Sequence, residues 1–484
     1  MEHARSAPNG ESAVCVIICA RFVQRPASSS CIRGRFSLNF SAARRSFVVI
    51  FALVASVLLA VLTAPGAVAV GFSVSPGATF NNPLGGDEAR WRILRKIESA
   101  IDNTCQPACA PTAPETILIS TYLMDRQTDY DKVIAADRRG ANVQILMDSA
   151  IESPESNRLV NLFGRPDKDG NGEVNEADGL DRNCDGKVDP SDTNASPTDA
   201  CPVPITVQWS YAVKCVDSCR GGRGNNHVKF YAFSQAGETS DVVMVSSANI
   251  NRGGAVSGWN DLYTMVGDPS TFDFYARVHH DMAEDDPSGN DCSKGTLERC
   301  AYKEWANGNF VHRIFPKPQG SDPSMDQLDR IRCTGTSAGA NGRTVIKIGM
   351  FWWSGTRGMA LARKVIGLDR AGCDVQINYG APSGEVSRLL RTSAHRGGVK
   401  LWDSRQLPGT DGKPTLRVHH KYMIVSGNYG GDTSAYKVFC GTQNWINGAL
   451  RQSDENTLEI SSRSVYAAYS AEFESIKKYA RRIG

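Results

Sequence analysis

A chain of 484 residues with 54 basic and 51 acidic side chains, net charge +3, lacks the strongly basic balance of a protein that lives on nucleic acid. Residues 1–69 hold seven Arg and two Glu, so the rest of the chain carries about −2. That remainder, roughly 415 residues, suffices for two domains of ordinary size with well-buried cores.

Arg44-Arg45 precede an apolar run from Phe47 to Leu62, and Ala67-Val-Ala69 comes next with the small side chains of a cleavage site. The pattern predicts a secretory signal cleaved near Ala69, hence an extracellular protein, with residues 1–43 as a long prelude. The run is short for a membrane span and ends at Pro65-Gly66. The paired arginines admit export in a folded state by a twin-arginine route. Cys15, Cys19 and Cys31 precede the cleavage point and eleven cysteines lie beyond it. Cys105 with Cys109, Cys215 with Cys219 and Cys292 with Cys300 stand close together in loop-like sequence, so local disulfides are expected in an oxidising compartment. A zinc site would need a Cys-x2-Cys spacing that is absent, and the odd count leaves at least one thiol without an internal partner.

Further along, the chain repeats itself. Ile117–Leu123 matches Val345–Phe351, both predicted as buried strands. Asp137-Arg-Arg-Gly140-Ala-Asn-Val143-Gln144 returns as Asp369-Arg-Ala-Gly372-Cys-Asp-Val375-Gln376, each behind a helical segment that a left-handed glycine would close. His227-Val-Lys229 returns as His419-His-Lys421. After the first come Ser247-Ala-Asn249 and Asn260-Asp261; after the second come Thr442-Gln-Asn444 and Asp454-Glu455-Asn456. Both halves thus run strand, helix, strand, His-x-Lys strand, then a strand ending in Asn.

Asp137 and Asp369 are further apart than His227 and His419, so the first half holds about forty extra residues ahead of His227. That insert, residues 165–205, contains two consecutive twelve-position loops, Asp167–Asp178 and Asp181–Asp192, with oxygen-bearing residues alternating around a central glycine. Candidate ligands are Asp167, Asp169, Asn171, Glu173 and Asp178, with Asn175 at the ninth position, then Asp181, Asn183, Asp185, Asp189 and Asp192. Hard cations take six to eight oxygens, so calcium is the expected ion. Position 12 is Asp and no long helices flank the loops, a pattern similar to dockerin-type or thrombospondin-type repeats. Because the insert is one-sided while the His-x-Lys sets are symmetric, a structural role for calcium is expected, with no cofactor for the chemistry.

The doubled His-x-Lys, Ser/Thr-x-Asn and downstream acid resemble the phospholipase D superfamily, from Phe80 to a C-terminal helix around Tyr469 and Phe473, with the calcium insert outside the likeness. The family motif usually carries an Asp five residues past the Lys; here Ser234 and Ser426 stand there. The resemblance implies an α/β fold of two similar domains, 70–290 and 296–484, joined within Asp285–Gly295. Each would have a mixed sheet flanked by helices, and a pseudo-two-fold axis would place one active site at the interface. It further implies His227 as nucleophile forming a phosphohistidine and His419 as general acid, then base, although the residues alone admit the reverse.

Phosphodiester cleavage needs a nucleophile, a proton for the departing alcohol and donors for the non-bridging oxygens. Lys229 and Lys421 lie two residues from their histidines and so share a strand face with them. Asn249 and Asn444 add neutral donors, and Ser247 and Thr442 are expected in the substrate-binding set. Asp261 and Glu455 are the expected carboxylates that fix the imidazole tautomers. His420 points to the opposite face and is expected to be structural; His279 and His280 in a helical stretch, His312 in the connector and His395 in a polar loop are expected to be surface or packing residues, and Trp352 and Trp353 either pack or line the entrance. The expected substrate is a glycerophospholipid at a membrane surface, phosphatidylcholine going to phosphatidic acid and choline, with a monomeric enzyme. A nuclease of the same superfamily is the alternative, and an inactive calcium-dependent binding protein is the alternative of another class.

Overall fold

Strand-forming apolar runs alternate with amphipathic helices along the chain, and in the computed structural model they build two large sheets and two short two-stranded ones. The described residues are 71–193, 204–220, 223–285, 301–406 and 416–484. The predicted signal, Cys292 with Cys300 and all but the first residue of the Asp285–Gly295 connector lie outside them. In the seven-stranded sheet the order is Gly77–Phe80, Asp261–Met265, Thr239–Ser246, Phe230–Ala236, Thr116–Ser120, Asn142–Asp148, Tyr211–Cys215. The ten-stranded sheet repeats the last six places as Glu455–Ser461, Asp432–Gly441, Lys421–Tyr429, Val345–Met350, Asp374–Tyr379, Lys400–Asp403. In both, three antiparallel strands give way to three parallel ones, as expected for a mixed sheet.

Gly140 (φ 95°) and Gly372 (φ 101°) take the left-handed conformation after the helices Gln127–Arg138 and Gly355–Arg370, which turns each chain into its next strand. The register differs from the expected match by one residue. Thr116 pairs with Asn142 as Val345 pairs with Asp374, so Tyr122, not Leu123, is the counterpart of Phe351. Strands buried on both faces carry no alternation that could set this register in sequence.

Residues 71–484 form one compact unit. One core cluster joins the lobes: Val228, Phe230 and Tyr275 share it with Ile424, Leu458, Tyr469 and Phe473. Cys105–Cys109 and Cys215–Cys219 are disulfides as expected, and Cys333–Cys373, forty residues apart, is one that spacing did not reveal. Cys440 is a buried free thiol. His312 lies in the strand Phe310–Phe315 and His395 ends the helix Gly384–His395, rather than in a connector and a loop.

Candidate active site

Each His-x-Lys segment begins by pairing with the other lobe. Asn226 bridges Asp454 in parallel, and Arg417–Val418 pairs in parallel with Gly258–Trp259. His227 N–H therefore donates to Asp454 O and His419 N–H to Trp259 O, both at 3.0 Å. The next residue on each partner segment, Glu455 or Asn260, then meets the imidazole. Glu455 Oε2 lies 2.9 Å from His227 Nδ1, and Asn260 Oδ1 lies 2.8 Å from His419 Nδ1.

Asp261 was expected to hold one of the two catalytic imidazoles and holds neither. Ser247 N–H donates to Asp261 O as Thr442 N–H donates to Asn456 O, which makes Asp261 the counterpart of Asn456 and Asn260 the counterpart of Glu455. Adjacent strand residues face opposite ways, so a slip of one exchanges the group facing the site for the one behind it. Asp261 instead accepts from His420 Nδ1 (3.0 Å) and the Tyr469 hydroxyl (2.9 Å). Burial opposes both charges, but the pairing outweighs it: Asp261 is held below the usual carboxylate range, and Asp261 with Glu472 raises His420. His420 is thus a buried clasp between lobes, with Val228 as its first-lobe counterpart.

Asn260 is held in one orientation. Its amide nitrogen donates to Gly254 O (2.9 Å) and Gly258 O (3.1 Å), so its oxygen faces His419. Only a ring protonated at Nδ1 can donate to that oxygen, which leaves Nε2 for chemistry. Asn81, which the sequence did not single out, accepts Asn260 N–H at 2.6 Å and donates to Gly258 O. Ser247 and Thr442 are fully buried. Ser247 bonds Asn260 Oδ1 (3.2 Å) and accepts Asp261 N–H, and Thr442 accepts Asn456 N–H. Through these bonds they position the histidine partners, where a substrate-binding role was expected. Asn444 Oδ1 accepts the Trp352 N–H (3.3 Å), and Asn249 Oδ1 is buried without a partner among the described residues. Trp353 is buried, while the Trp352 ring is 43% exposed. Ser234 accepts Thr116 N–H and Ser426 donates to the Tyr466 hydroxyl, so both serines at the familiar Asp position tie down the scaffold.

Aromatic walls back each pair. The Tyr122 ring stands 5.5 Å from His227 with the Lys229 ammonium 5.5 Å away, and Phe351 stands 4.7 Å from His419 with the Lys421 ammonium 5.0 Å away. Burial, then Lys229, Lys421 and His419, pushes His227 well below the usual imidazole range; burial and the same lysines do so for His419. Burial brings Lys229 down to about 7, and burial with the neighbouring Lys229 holds Lys421 well below an ordinary lysine. Burial lifts Glu455 to about 8 against the pull of Lys229. The His227–Glu455 pair therefore holds one proton on the Nδ1–Oε2 line, with Nε2 unprotonated.

An entering anion finds its cations only where Lys229 is protonated, at pH below about 7. We expect kcat/KM, which reports the free enzyme, to fall as pH rises through about 7. A pH profile on a soluble phosphodiester tests this, and a profile flat from about pH 6 to 9 would contradict it.

In the insert, Asp167, Asp169 and Asp178 each bring a carboxylate oxygen within 4.8 Å of the others. The second loop repeats the first. Gly172 and Gly186 both have φ 87° and donate to Asp167 and Asp181; Asn175 N–H and Asp189 N–H donate to Asp178 and Asp192. Among the described residues only the first loop gathers three carboxylates; Asn171 and Asp185 are exposed and Asn183 and Asp189 half-buried. Glu173 is exposed, its carboxylate 3.5 Å from the Asn175 amide, and leaves the expected ligand set because the seventh position of such loops offers its backbone carbonyl.

The family model described as "Cardiolipin synthase, PLD-like domain" matches residues 110–282 and 340–477. No curated protein matches the chain. Among solved structures, phosphatidylserine synthase of Haemophilus influenzae superposes with a TM-score of 0.50 at 12% identity, covering 84% of this chain and 87% of that one. Polyphosphate kinase of Porphyromonas gingivalis gives 0.45 at 10% identity over 84% of this chain and only 46% of its own. Yeast tyrosyl-DNA phosphodiesterase gives 0.39 at 10% over 80% and 91%. Because the family match takes in both His-x-Lys strands, the chain belongs to the phospholipase D superfamily.

Proposed function

We propose that this protein is a secreted phosphodiesterase of the phospholipase D type that removes headgroups from glycerophospholipids. The observation that carries the reading is the unequal, crossed support of two imidazoles: carboxylate Glu455 behind His227 and carboxamide Asn260 behind His419. Nε2 of His227 attacks phosphorus and forms a P–N bond while the P–O bond to the headgroup breaks. The departing oxygen keeps the electron pair and takes a proton from Nε2 of His419, which enters the step as an imidazolium with its Nδ1–H on Asn260. Water then attacks phosphorus and gives its proton to His419, and the P–N electrons return to His227. The phosphorylated ring is cationic, so a carboxylate partner stabilises it. A neutral amide gives a protonated ring less support, which makes His419 the stronger acid. This asymmetry favours the nucleophile role for His227. Lys229, Lys421, Asn249 and Asn444 oppose the phosphoryl charge.

The matched family's description names a lipid enzyme, which favours the lipid reading over the nuclease. Calcium fits the insert as a structural ion, because the converging Asp167, Asp169 and Asp178 repel one another without a cation; Asp181 and Asp192 would serve the second loop.

The test is to incubate protein lacking residues 1–69 with phosphatidylcholine–phosphatidylserine vesicles and with single-stranded DNA, with and without a calcium chelator. Phosphatidic acid release is expected, and chelation should lower the melting temperature more than the rate measured while the protein stays folded. Nucleotide release alone would replace the lipid reading with the nuclease. Release of neither product would leave a binding protein, and prompt, reversible loss of rate without loosening would place the ion in the chemistry.

A further inference from the structure

Arg417 stands two residues before His419, as His419 stands two before Lys421, and all three gather on one aromatic ring. The Arg417 guanidinium lies 5.1 Å from the Phe351 centroid, with His419 4.7 Å and the Lys421 ammonium 5.0 Å from the same ring. Most other buried or half-buried arginines of this lobe are matched to acids, Arg313 to Glu459, Arg357 to Asp322, Arg391 and Arg405 to Asp403, and Arg451 is held by the carbonyls of Lys317 and Gly320. Arg417 is half-buried and meets no carboxylate among the described residues; burial alone bears on its guanidinium, pushing its pKa down. At the matching place the first lobe has no cation. Its counterpart of Arg417 is Asn225, whose side chain bonds Asp148.

A half-buried cation without an acid among the described residues is costly, and an anionic ligand would offset that cost. Its place decides which part of a substrate supplies the anion. In-line attack by His227 sends the leaving alcohol to the opposite face of phosphorus, beside His419 and therefore beside Arg417. We infer that Arg417 selects substrates whose leaving alcohol carries its own negative charge, a carboxylate-bearing headgroup before a purely cationic one such as choline. This rests on the proposed phosphodiesterase reading and names the headgroup class for it. The planar fork of arginine suits a carboxylate, which it grips through two parallel N–H bonds.

Serine and ethanolamine headgroups differ by one carboxylate. Equilibrium binding of glycerophosphoserine and glycerophosphoethanolamine is measured in His227→Ala protein, which does not consume them, and again after adding Arg417→Gln or Arg417→Lys. Tighter binding of glycerophosphoserine is expected, with that preference falling about tenfold or more with glutamine and less with lysine, which keeps the charge but lacks the fork. An unchanged preference in the glutamine variant, equal binding of the two ligands, or binding of neither at millimolar concentration would overturn the inference. Turnover of bis(p-nitrophenyl) phosphate by the unsubstituted protein is followed in parallel. If that fails while the Arg417-dependent preference persists, the phosphodiesterase reading falls and the anion site stands.

Discussion

His419→Ala protein given a phosphatidyl ester of p-nitrophenol is expected to release one equivalent of p-nitrophenol per site in a burst and then stop, while His227→Ala releases none. The difference comes from the separate task of each ring. p-Nitrophenolate departs without a proton, so loss of the acid leaves the first step open. The P–N bond forms, and the intermediate then waits for a base that is gone. Without His227 there is no nitrogen to attack phosphorus. On natural headgroups, which need the proton, both variants are expected to lose turnover by on the order of 10⁴-fold or more, as when one member of a catalytic unit is removed. The trapped species should be a phosphorylated enzyme, stable to base and labile to acid, detectable by mass in His419→Ala and absent from His227→Ala. A burst from His227→Ala with none from His419→Ala would reverse the roles drawn from Glu455 and Asn260.

Loss of Arg220 is expected to be the most destabilising single change at the lobe junction. Its guanidinium contacts Asp454 Oδ1 at 3.0 Å and donates to Ala301 O and Phe315 O, with the two side chains only 5% and 0% exposed. Breaking a buried ion pair from one side leaves an uncompensated charge and costs about 3–5 kcal/mol. Burial already pushes the Asp454 carboxyl up, and Arg220 is the largest influence holding it down. In Arg220→Met the carboxyl rises further, so the native state binds a proton that the unfolded chain has released. Stability of the variant should then fall as pH rises from the ordinary carboxylate range to the raised native value. Denaturant unfolding of Arg220→Met measures this, and Arg220→Met with Asp454→Asn should regain part of the loss by removing the stranded charge. A loss under about 1 kcal/mol would mean that the pair behaves like a surface bridge. Because Asp454 O accepts the His227 N–H, activity should decline with stability.

The duplication, the mixed-sheet halves and the pairs His227/Lys229 and His419/Lys421 were legible because they rest on residue identity and spacing. Local disulfides were legible for the same reason, since only three residues separate Cys105 from Cys109 and Cys215 from Cys219. Cys333–Cys373 was not, because only the parallel pairing of Val345–Met350 with Asp374–Tyr379 brings those chain segments together. Asn81, Arg220 and Arg417 escaped notice for a related reason. Asn81 and Arg220 have no repeated neighbours, and Arg417, though beside the His-x-Lys repeat, is Asn225 in the other copy; each acts on groups from a distant segment or the other lobe.

The amino-acid sequence by itself determined that two related lobes each bring a histidine, a lysine and an asparagine to phosphate chemistry. Only the tertiary structure decided which side chain stands behind each ring. Asn260 and Asp261 are adjacent and both polar, so composition cannot choose between them, but the strand pleat turns one toward His419 and the other toward His420 and Tyr469. Crossed pairing at the junction then sets carboxylate against carboxamide, an inequality that becomes visible once both lobes close on one site.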